Sequence, residues 1–175
     1  MSAEYLNDDK TIKNIYGFDF LKVGYFYNND KPLETRNGEK YHLCINFIDE
    51  QMPLLGESAY VVMVGDEIKY VGEYLYNLKD RWLRKDIYSW HHADKHIPKE
   101  LDHNRDVTLW VSINPYIKIA NDKEINISKS IEQEILKQHE GQLWNKRGNP
   151  QNNAEWIKKN CKRLHEILNV ANVTY

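Results

Sequence analysis

Two tyrosines lie where neighbouring strands of a predicted hairpin meet. Tyr60 opens one apolar run, residues 65–67 form a turn, and Tyr70 and Gly72 close the second run. Because these two strand ends lie side by side in an antiparallel hairpin, both rings can reach one site, and Gly72 leaves room for a ligand. A phenol with a pKa of about 10 relays protons only where a metal or cations lower that pKa, so simple packing is the alternative.

Histidines form the second candidate group. His92 and His96 are four residues apart, which suits zinc if the segment is helical, and His91 lies beside them. No cysteine is near and Pro98 closes the segment, so we favour a polar loop. The sequence contains no Ser-His-Asp order, no dinucleotide fingerprint and no phosphate-cradling glycine cluster.

The elements that must position these side chains follow from periodicity. From residue 56 onward the predicted order is strand, strand, helix, strand, helix, over residues 60–64, 68–72, 78–88, 107–113 and 128–139. Asn77 is the predicted N-cap of the first helix, with Asp80 at its third position, and Ser128 is the predicted cap of the second. Pro98 and the polar residues 102–106 predict a loop.

The flanking segments read as additions to this core. Strands are predicted over 18–28 and 40–48, with turn-forming residues at 29–32 and 36–38 between them. A helix with a basic face is predicted over 154–168. We therefore predict a single α+β domain over 1–175, with a β-rich N-terminal addition (1–55), a β-β-α-β-α core (56–147) and a C-terminal helical extension (148–175).

Composition and charge exclude several classes of protein. The 175 residues are 41% hydrophobic and 29% charged, and no apolar run approaches the roughly 20 residues that span a bilayer. The first residues lack a signal peptide's pattern and the two cysteines lie far apart, so we expect a cytoplasmic protein with no membrane partner. Residues 137–175 carry seven basic and three acidic side chains, although the net charge is −2, and such a basic end can contact a polyanion.

Four short motifs in order give a family resemblance. Residues 70–82, Tyr-Val-Gly-Glu-Tyr-Leu-Tyr-Asn-Leu-Lys-Asp-Arg-Trp, resemble the second tyrosine motif and following helix of the GIY-YIG nucleases. Ser58-Ala59-Tyr60 stands where that family has Gly-Ile-Tyr, residues 132–139 resemble its glutamate-bearing helix, and Leu143-Trp144-Asn145 its closing motif. The resemblance covers about residues 56–147. Ser58-Ala59 departs from the family pattern, and Lys85 stands where many members have a histidine.

The resemblance implies a role for each matching residue. Tyr60, Tyr70, Arg81, Glu132 and Asn145 would form the catalytic set. Glu132 would hold Mg²⁺ or Mn²⁺, since magnesium is usually bound by one or two carboxylates with waters and substrate phosphate. Arg81 would brace the scissile phosphate with its planar donors. Four further basic side chains would bind the substrate backbone: Arg84, Lys85, Lys146 and Arg147.

The resemblance therefore implies a divalent-metal-dependent endonuclease that hydrolyses double-stranded DNA. A restriction-type enzyme is the reading we favour, because no separate DNA-binding module is visible, and two-fold DNA sites would suit a homodimer. The alternative is a catalytically inactive nucleic-acid-binding or protein-interaction module on the same fold, which Ser58-Ala59 and the net charge of −2 motivate.

Overall fold

Strands dominate the fold, as the β-branched and aromatic runs predict. The computed structural model describes residues 11–34, 40–82, 92–119, 122–139 and 141–145. Its strands are β1 (Ile12–Ile15), β2 (Phe18–Glu34), β3 (Lys40–Phe47), β4 (Gly56–Val64), β5 (Glu67–Asn77), β6 (Val107–Ser112), β7 (Tyr116–Lys118) and β8 (Glu124–Asn126). Its helices are α1 (Leu78–Trp82), α2 (Ile97–Asp102) and α3 (Ser128–Gln138), with short 3₁₀ turns at Met52–Leu54 and His92–Lys95. The predicted α+β class is confirmed.

The main sheet has six strands and is antiparallel throughout. Its order is β1-β2-β6-β4-β5, and β3 pairs with a further part of β2. The predicted hairpin is confirmed as β4 and β5, and Tyr60 of β4 lies opposite Gly72 of β5. Since β5 is an end strand of this sheet, residues that project past it reach the sheet's outer edge.

Helices cover both faces of the sheet because β4 is apolar on both sides. Tyr60 and Val62 face one side, where they join the cluster containing Leu78, Trp82 and Ile97 of α1 and α2. The alternate residues Ala59, Val61 and Met63 join Ile131 and Ile135 of α3 on the other side. We call these the α1 face and the α3 face. A strand buried on both sides carries apolar residues without alternation, as this one does.

The start of α1 is specified by local hydrogen bonds. The Asn77 side-chain oxygen accepts a bond from the Asp80 backbone N–H at 2.7 Å, and its amide donates to the Asp80 carboxylate at 2.9 Å. The predicted cap and its partner are therefore confirmed, in a reciprocal arrangement like a capping box. The described part of this helix ends at Trp82, and both the rest of the predicted helix and the predicted helix over 154–168 lie outside the described residues.

Three local predictions are wrong. Residues 97–102 form α2 rather than a loop, because Pro98 sits in the first turn, where its missing N–H is not needed. Ser128 does not cap α3; instead the Asn126 side-chain oxygen accepts the Ser128 N–H at 2.8 Å. Residues 29–32 lie within β2, which passes them with a shift in its pairing to β3 instead of turning.

The strands of the N-terminal addition belong to the same sheet as the core. One edge of β2 pairs with β1 and then β3, while its other edge pairs with β6. Strand β1, helix α2 and the β7–β8 hairpin extend the predicted element order. No helix among the described residues is long and apolar enough to cross a membrane.

A buried pair of serines joins the start of the hairpin to β6. The Ser58 hydroxyl lies 2.8 Å from the Ser112 carbonyl and 2.7 Å from the Ser112 hydroxyl, which also accepts the Ala59 N–H at 3.3 Å. Both serines are buried. A buried hydroxyl without a hydrogen-bond partner is destabilising, so each serine supplies the partner that water would otherwise provide to the other.

This pairing predicts coupled stability effects. Ser58→Ala should lower the free energy of unfolding by about 1–3 kcal/mol, because it removes a buried partner of Ser112. Ser112→Ala should cost more, since Ala59 also loses its acceptor. Urea unfolding followed by tryptophan fluorescence measures both, and the double variant should cost less than the sum of the single changes. Strict additivity would contradict the coupling.

Candidate active site

The centre of the site is the hydroxyl of Tyr60. The side chain is 0% exposed, and its hydroxyl oxygen accepts hydrogen bonds from Nε and Nη2 of Arg81 at 3.0 and 2.9 Å. The Arg81 guanidinium also lies 5.7 Å from the ring centroid. Arg81 lies one helical turn after Asn77, the N-cap of α1. One short segment therefore contains both the cap and the arginine.

Three aromatic rings surround Tyr60. Tyr70 stacks on it with centroids 6.1 Å apart, Tyr74 lies at 6.0 Å, and Trp82 contacts it edge-on at 5.5 Å. Aromatic pairs at these separations add to the stability that burial supplies. The hydroxyl therefore has one defined position, which a proton-relaying or water-holding group requires.

Gly72 provides the space for that hydroxyl. A Cβ at this position would come 2.5 Å from the Tyr60 hydroxyl oxygen and 2.6 Å from the ring carbon that carries it. The Tyr60 ring thus crosses β5 at the one residue in that stretch without a side chain, and its hydroxyl extends toward the outer edge of the sheet. The sequence predicted room for a ligand at Gly72; the structure fills this room with the phenol.

Glu132 approaches the same group from helix α3. Its side chain is 12% exposed, and its negative charge adds to the rise that burial causes in the pKa of both Tyr60 and Tyr70. The structure thus brings together four of the predicted residues, Tyr60, Tyr70, Arg81 and Glu132, although α1 and α3 pack on opposite faces of the sheet.

Lys129 and Glu73 join this group, and the sequence analysis missed them. The Lys129 ammonium contacts the Glu132 carboxylate and lies 3.4 Å from Oε1 of Glu73 on β5. The spacing of Lys129 and Glu132, three residues apart on one helix, could have indicated the first contact. The contact with Glu73 depends on how α3 packs on β5, which no local pattern shows.

Burial dominates the acid–base properties of the phenols. It raises the pKa of Tyr60 well above the usual range, and the charge and hydrogen bonds of Arg81 only partly oppose this rise. Burial likewise raises the pKa of Tyr70, again against Arg81. Both side chains are consequently neutral phenols at physiological pH, which can donate hydrogen bonds as well as accept them.

Asn145 contacts backbone rather than other members of the set. Its side-chain oxygen accepts the Val71 N–H at 3.2 Å, and its amide donates to the Val71 carbonyl at 2.7 Å. The Trp144 N–H donates to the Lys69 carbonyl at 2.7 Å, so residues 144–145 pair with the outer edge of β5. The catalytic role that the resemblance gives Asn145 stays a prediction; in the structure its contacts position the strand that carries Tyr70 and Gly72.

A cleft of about 240 Å³ opens beside Arg81. Its lining is formed by β5 and the start of α1: Glu73, Tyr74, Leu75, Tyr76, Asn77, Asp80 and Arg81. It therefore connects the arginine with the acidic residue of β5 that Lys129 contacts. The lining carries one guanidinium, the carboxylates of Glu73 and Asp80, and one exposed aromatic side chain, Tyr76.

Glu132 supplies the carboxylate that the resemblance assigns to a magnesium or manganese ion. Mg²⁺ prefers oxygen ligands, keeps several waters and is commonly held by one or two carboxylates, so Glu132 would hold it together with waters and substrate phosphate. No cluster of three or more His, Cys, Asp or Glu side chains that could hold a metal occurs among the described residues. The His96 ring stacks on Trp144 at 5.1 Å, while the side chains of His91 and His92 lie outside the described part of the chain.

The predicted backbone-binding residues remain predictions. Arg84, Lys85, Lys146 and Arg147 lie outside the described ranges. Glu134 is also on α3, and its side-chain oxygen accepts a bond from Gln138 at 2.7 Å. It provides a matched comparison for Glu132 on the same helix.

The contact at Gly72 predicts a strong mutational effect. Gly72→Ala should lower the free energy of unfolding by about 1–3 kcal/mol, because its Cβ would overlap the Tyr60 phenol. In a Tyr60→Leu background the same change should cost much less, since the overlapping atoms are gone. Thermal and urea unfolding of the four proteins measure this cycle, and an equal cost in both backgrounds would contradict the close contact.

The Asn145 contacts predict a dependence on its amide. Asn145→Asp should lower the free energy of unfolding by about 1–2 kcal/mol, because the Val71 carbonyl loses its donor and faces a carboxylate. Asn46→Asp on β3 is a suitable control, since this side chain is exposed. Amide hydrogen exchange at Val71 reports the edge directly, and unchanged protection there would argue against the positioning role.

Comparisons with family models, with curated proteins and with solved structures find no match for this chain. The function must therefore be argued from the residues and their geometry.

Proposed function

We propose that this protein is a divalent-metal-dependent endonuclease that hydrolyses phosphodiester bonds in double-stranded DNA, of the GIY-YIG type. The observation that carries the proposal is that Arg81 donates two hydrogen bonds to the buried Tyr60 hydroxyl, whose pKa also responds to the charge of Glu132. These residue types are the ones that the family motifs supply, and they come from separate elements.

Arg81 has the chemistry to bind a phosphate. A guanidinium carries five N–H donors in a plane, a geometry that suits phosphoryl oxygens, and two of these donors bind the Tyr60 hydroxyl. Donors held in place before the reaction stabilise charge that develops on phosphoryl oxygens in the transition state. The cleft beside Arg81 is where the DNA backbone would lie.

Tyr60 and Tyr70 would position the attacking water. As neutral phenols they can accept a hydrogen bond from that water or donate one to it, and the Tyr60 hydroxyl also hydrogen-bonds that of Tyr70. Because burial raises the pKa of both phenols, Tyr60 and Tyr70 would hold the water by hydrogen bonds as neutral groups and would not take its proton.

Glu132 would hold the Mg²⁺ or Mn²⁺ ion through its carboxylate. When bound, the ion supplies positive charge to the phosphoryl oxygens and acidifies a coordinated water. Glu132 reaches this position because Ile131 and Ile135, on the buried side of α3, pack against the sheet.

The restriction-type reading and the homodimer belong to this proposal. Paired cuts at a two-fold symmetric site would need two copies of the chain. The alternative function is an inactive nucleic-acid-binding or interaction module, and the pairing of Lys129 with Glu132 favours it, because that carboxylate already has a cationic partner.

A cleavage assay tests the proposal. The protein should linearise or nick plasmid DNA with Mg²⁺ or Mn²⁺ and lose this activity in EDTA. Arg81→Ala and Glu132→Gln should each reduce the rate by about 100-fold or more, as the loss of a preorganised charged group does in other enzymes. Sequencing of the cut ends from a complex DNA identifies the site.

Matched variants separate chemistry from stability. Arg105→Ala removes an arginine that pairs with Glu100 on α2, and Glu134→Gln changes a carboxylate elsewhere on α3; both should keep full activity. Equal losses in these controls, or cutting that persists in EDTA, would refute the assignment. DNA binding without cleavage in either metal would favour the inactive module.

A further inference from the structure

Lys129 lies between two carboxylates at the candidate metal position. Its ammonium contacts Glu132 on its own helix and lies 3.4 Å from Oε1 of Glu73 on the neighbouring strand. The two acids come from α3 and β5, so this contact also joins the helix to the edge of the sheet. One cation therefore faces both carboxylates.

The exposure of the three side chains is unequal. Glu132 is 12% exposed, Glu73 is 31% exposed and Lys129 is 60% exposed. A carboxylate so far removed from water needs a nearby positive charge. Lys129 supplies it, yet most of the lysine side chain remains in solvent, so its flexible stem can move away without leaving a buried ammonium behind.

A divalent ion would need the same carboxylate. Magnesium and manganese bind carboxylate oxygens directly, and an ammonium in contact with those oxygens repels an incoming cation. The Lys129 ammonium and a divalent ion therefore compete for the Glu132 carboxylate.

We infer that Lys129 is a positioning residue that holds Glu132 in place in the metal-free protein, and that a divalent ion binds by displacing the Lys129 ammonium. This inference rests on the proposed function, because it takes Glu132 as the metal ligand. Lys129 then keeps the carboxylate aimed at the tyrosines until the ion arrives, at the expense of metal affinity.

Mn²⁺ titration of the whole protein, without DNA, tests the displacement. Lys129→Met removes the charge but keeps an unbranched stem, and it should tighten Mn²⁺ binding by about three- to tenfold. Lys129→Arg keeps the charge and should bind Mn²⁺ no more tightly than the unchanged protein. Lys137→Met, at an exposed position near the end of the same helix, should leave the affinity within about twofold of the unchanged protein.

Amine labelling gives a second readout, which would not respond to Mn²⁺ if Lys129 were only structural. With an acylating reagent and peptide mass spectrometry, labelling of Lys129 should increase when Mn²⁺ is added, while labelling of Lys137 stays constant. Unchanged or weaker Mn²⁺ binding in Lys129→Met, or labelling of Lys129 that does not respond to Mn²⁺, would overturn the inference.

Glu132→Gln distinguishes a failure of the metal assignment from a failure of the displacement inference. If this variant binds Mn²⁺ as tightly as the unchanged protein, the metal assignment in the proposed function fails. If it loses binding while Lys129→Met shows no gain, the displacement inference alone fails. Failure of Mn²⁺ to bind any of these proteins at millimolar concentration would overturn both.

Discussion

The hydrogen bonds of the buried Tyr60 hydroxyl organise much of this site, because a buried hydroxyl is destabilising without a partner. Tyr60 is enclosed by sheet, helix and aromatic rings, so its hydroxyl cannot rely on bulk water. Arg81 supplies two donors, and the Asn77 cap places its guanidinium one turn into α1. A buried polar group lowers stability when some of its hydrogen bonds are missing and is well ordered when all are made. Such order suits a functional position.

The edge of β5 is the second organising feature. Unprotected edges invite pairing with other chains, and here residues 144–145 cover the stretch beside Val71 with hydrogen bonds from backbone and side chain. Leu143 packs on the α3 face while Trp144 packs on the α1 face, so this segment crosses the edge. Next to this stretch lies Gly72, where the Tyr60 phenol and the Arg81 guanidinium meet.

Sequence reasoning succeeded where short-range patterns decide the outcome. The hairpin, the Asn77 cap and α3 follow from periodicity and local hydrogen bonding, and each is confirmed. It failed where a partner distant in sequence decides: β2 continues through turn-forming residues because β3 pairs with it, and Lys129 meets Glu73 only through packing of α3 on β5. For the site, residue types identified candidates, but the backbone contacts of Asn145 could not be anticipated from a single asparagine.

The position of β6 has a consequence for how the chain is made. This strand lies between β2 and β4, and its pairing joins Phe20 to Ser112 across most of the described chain. During synthesis β1, β2 and β3 emerge long before β6, so one edge of β2 stays open until residues 107–112 leave the ribosome. Pairings of such long sequence separation form slowly and expose strand edges meanwhile. We therefore expect the nascent chain to be vulnerable to aggregation and to benefit from a chaperone at that stage.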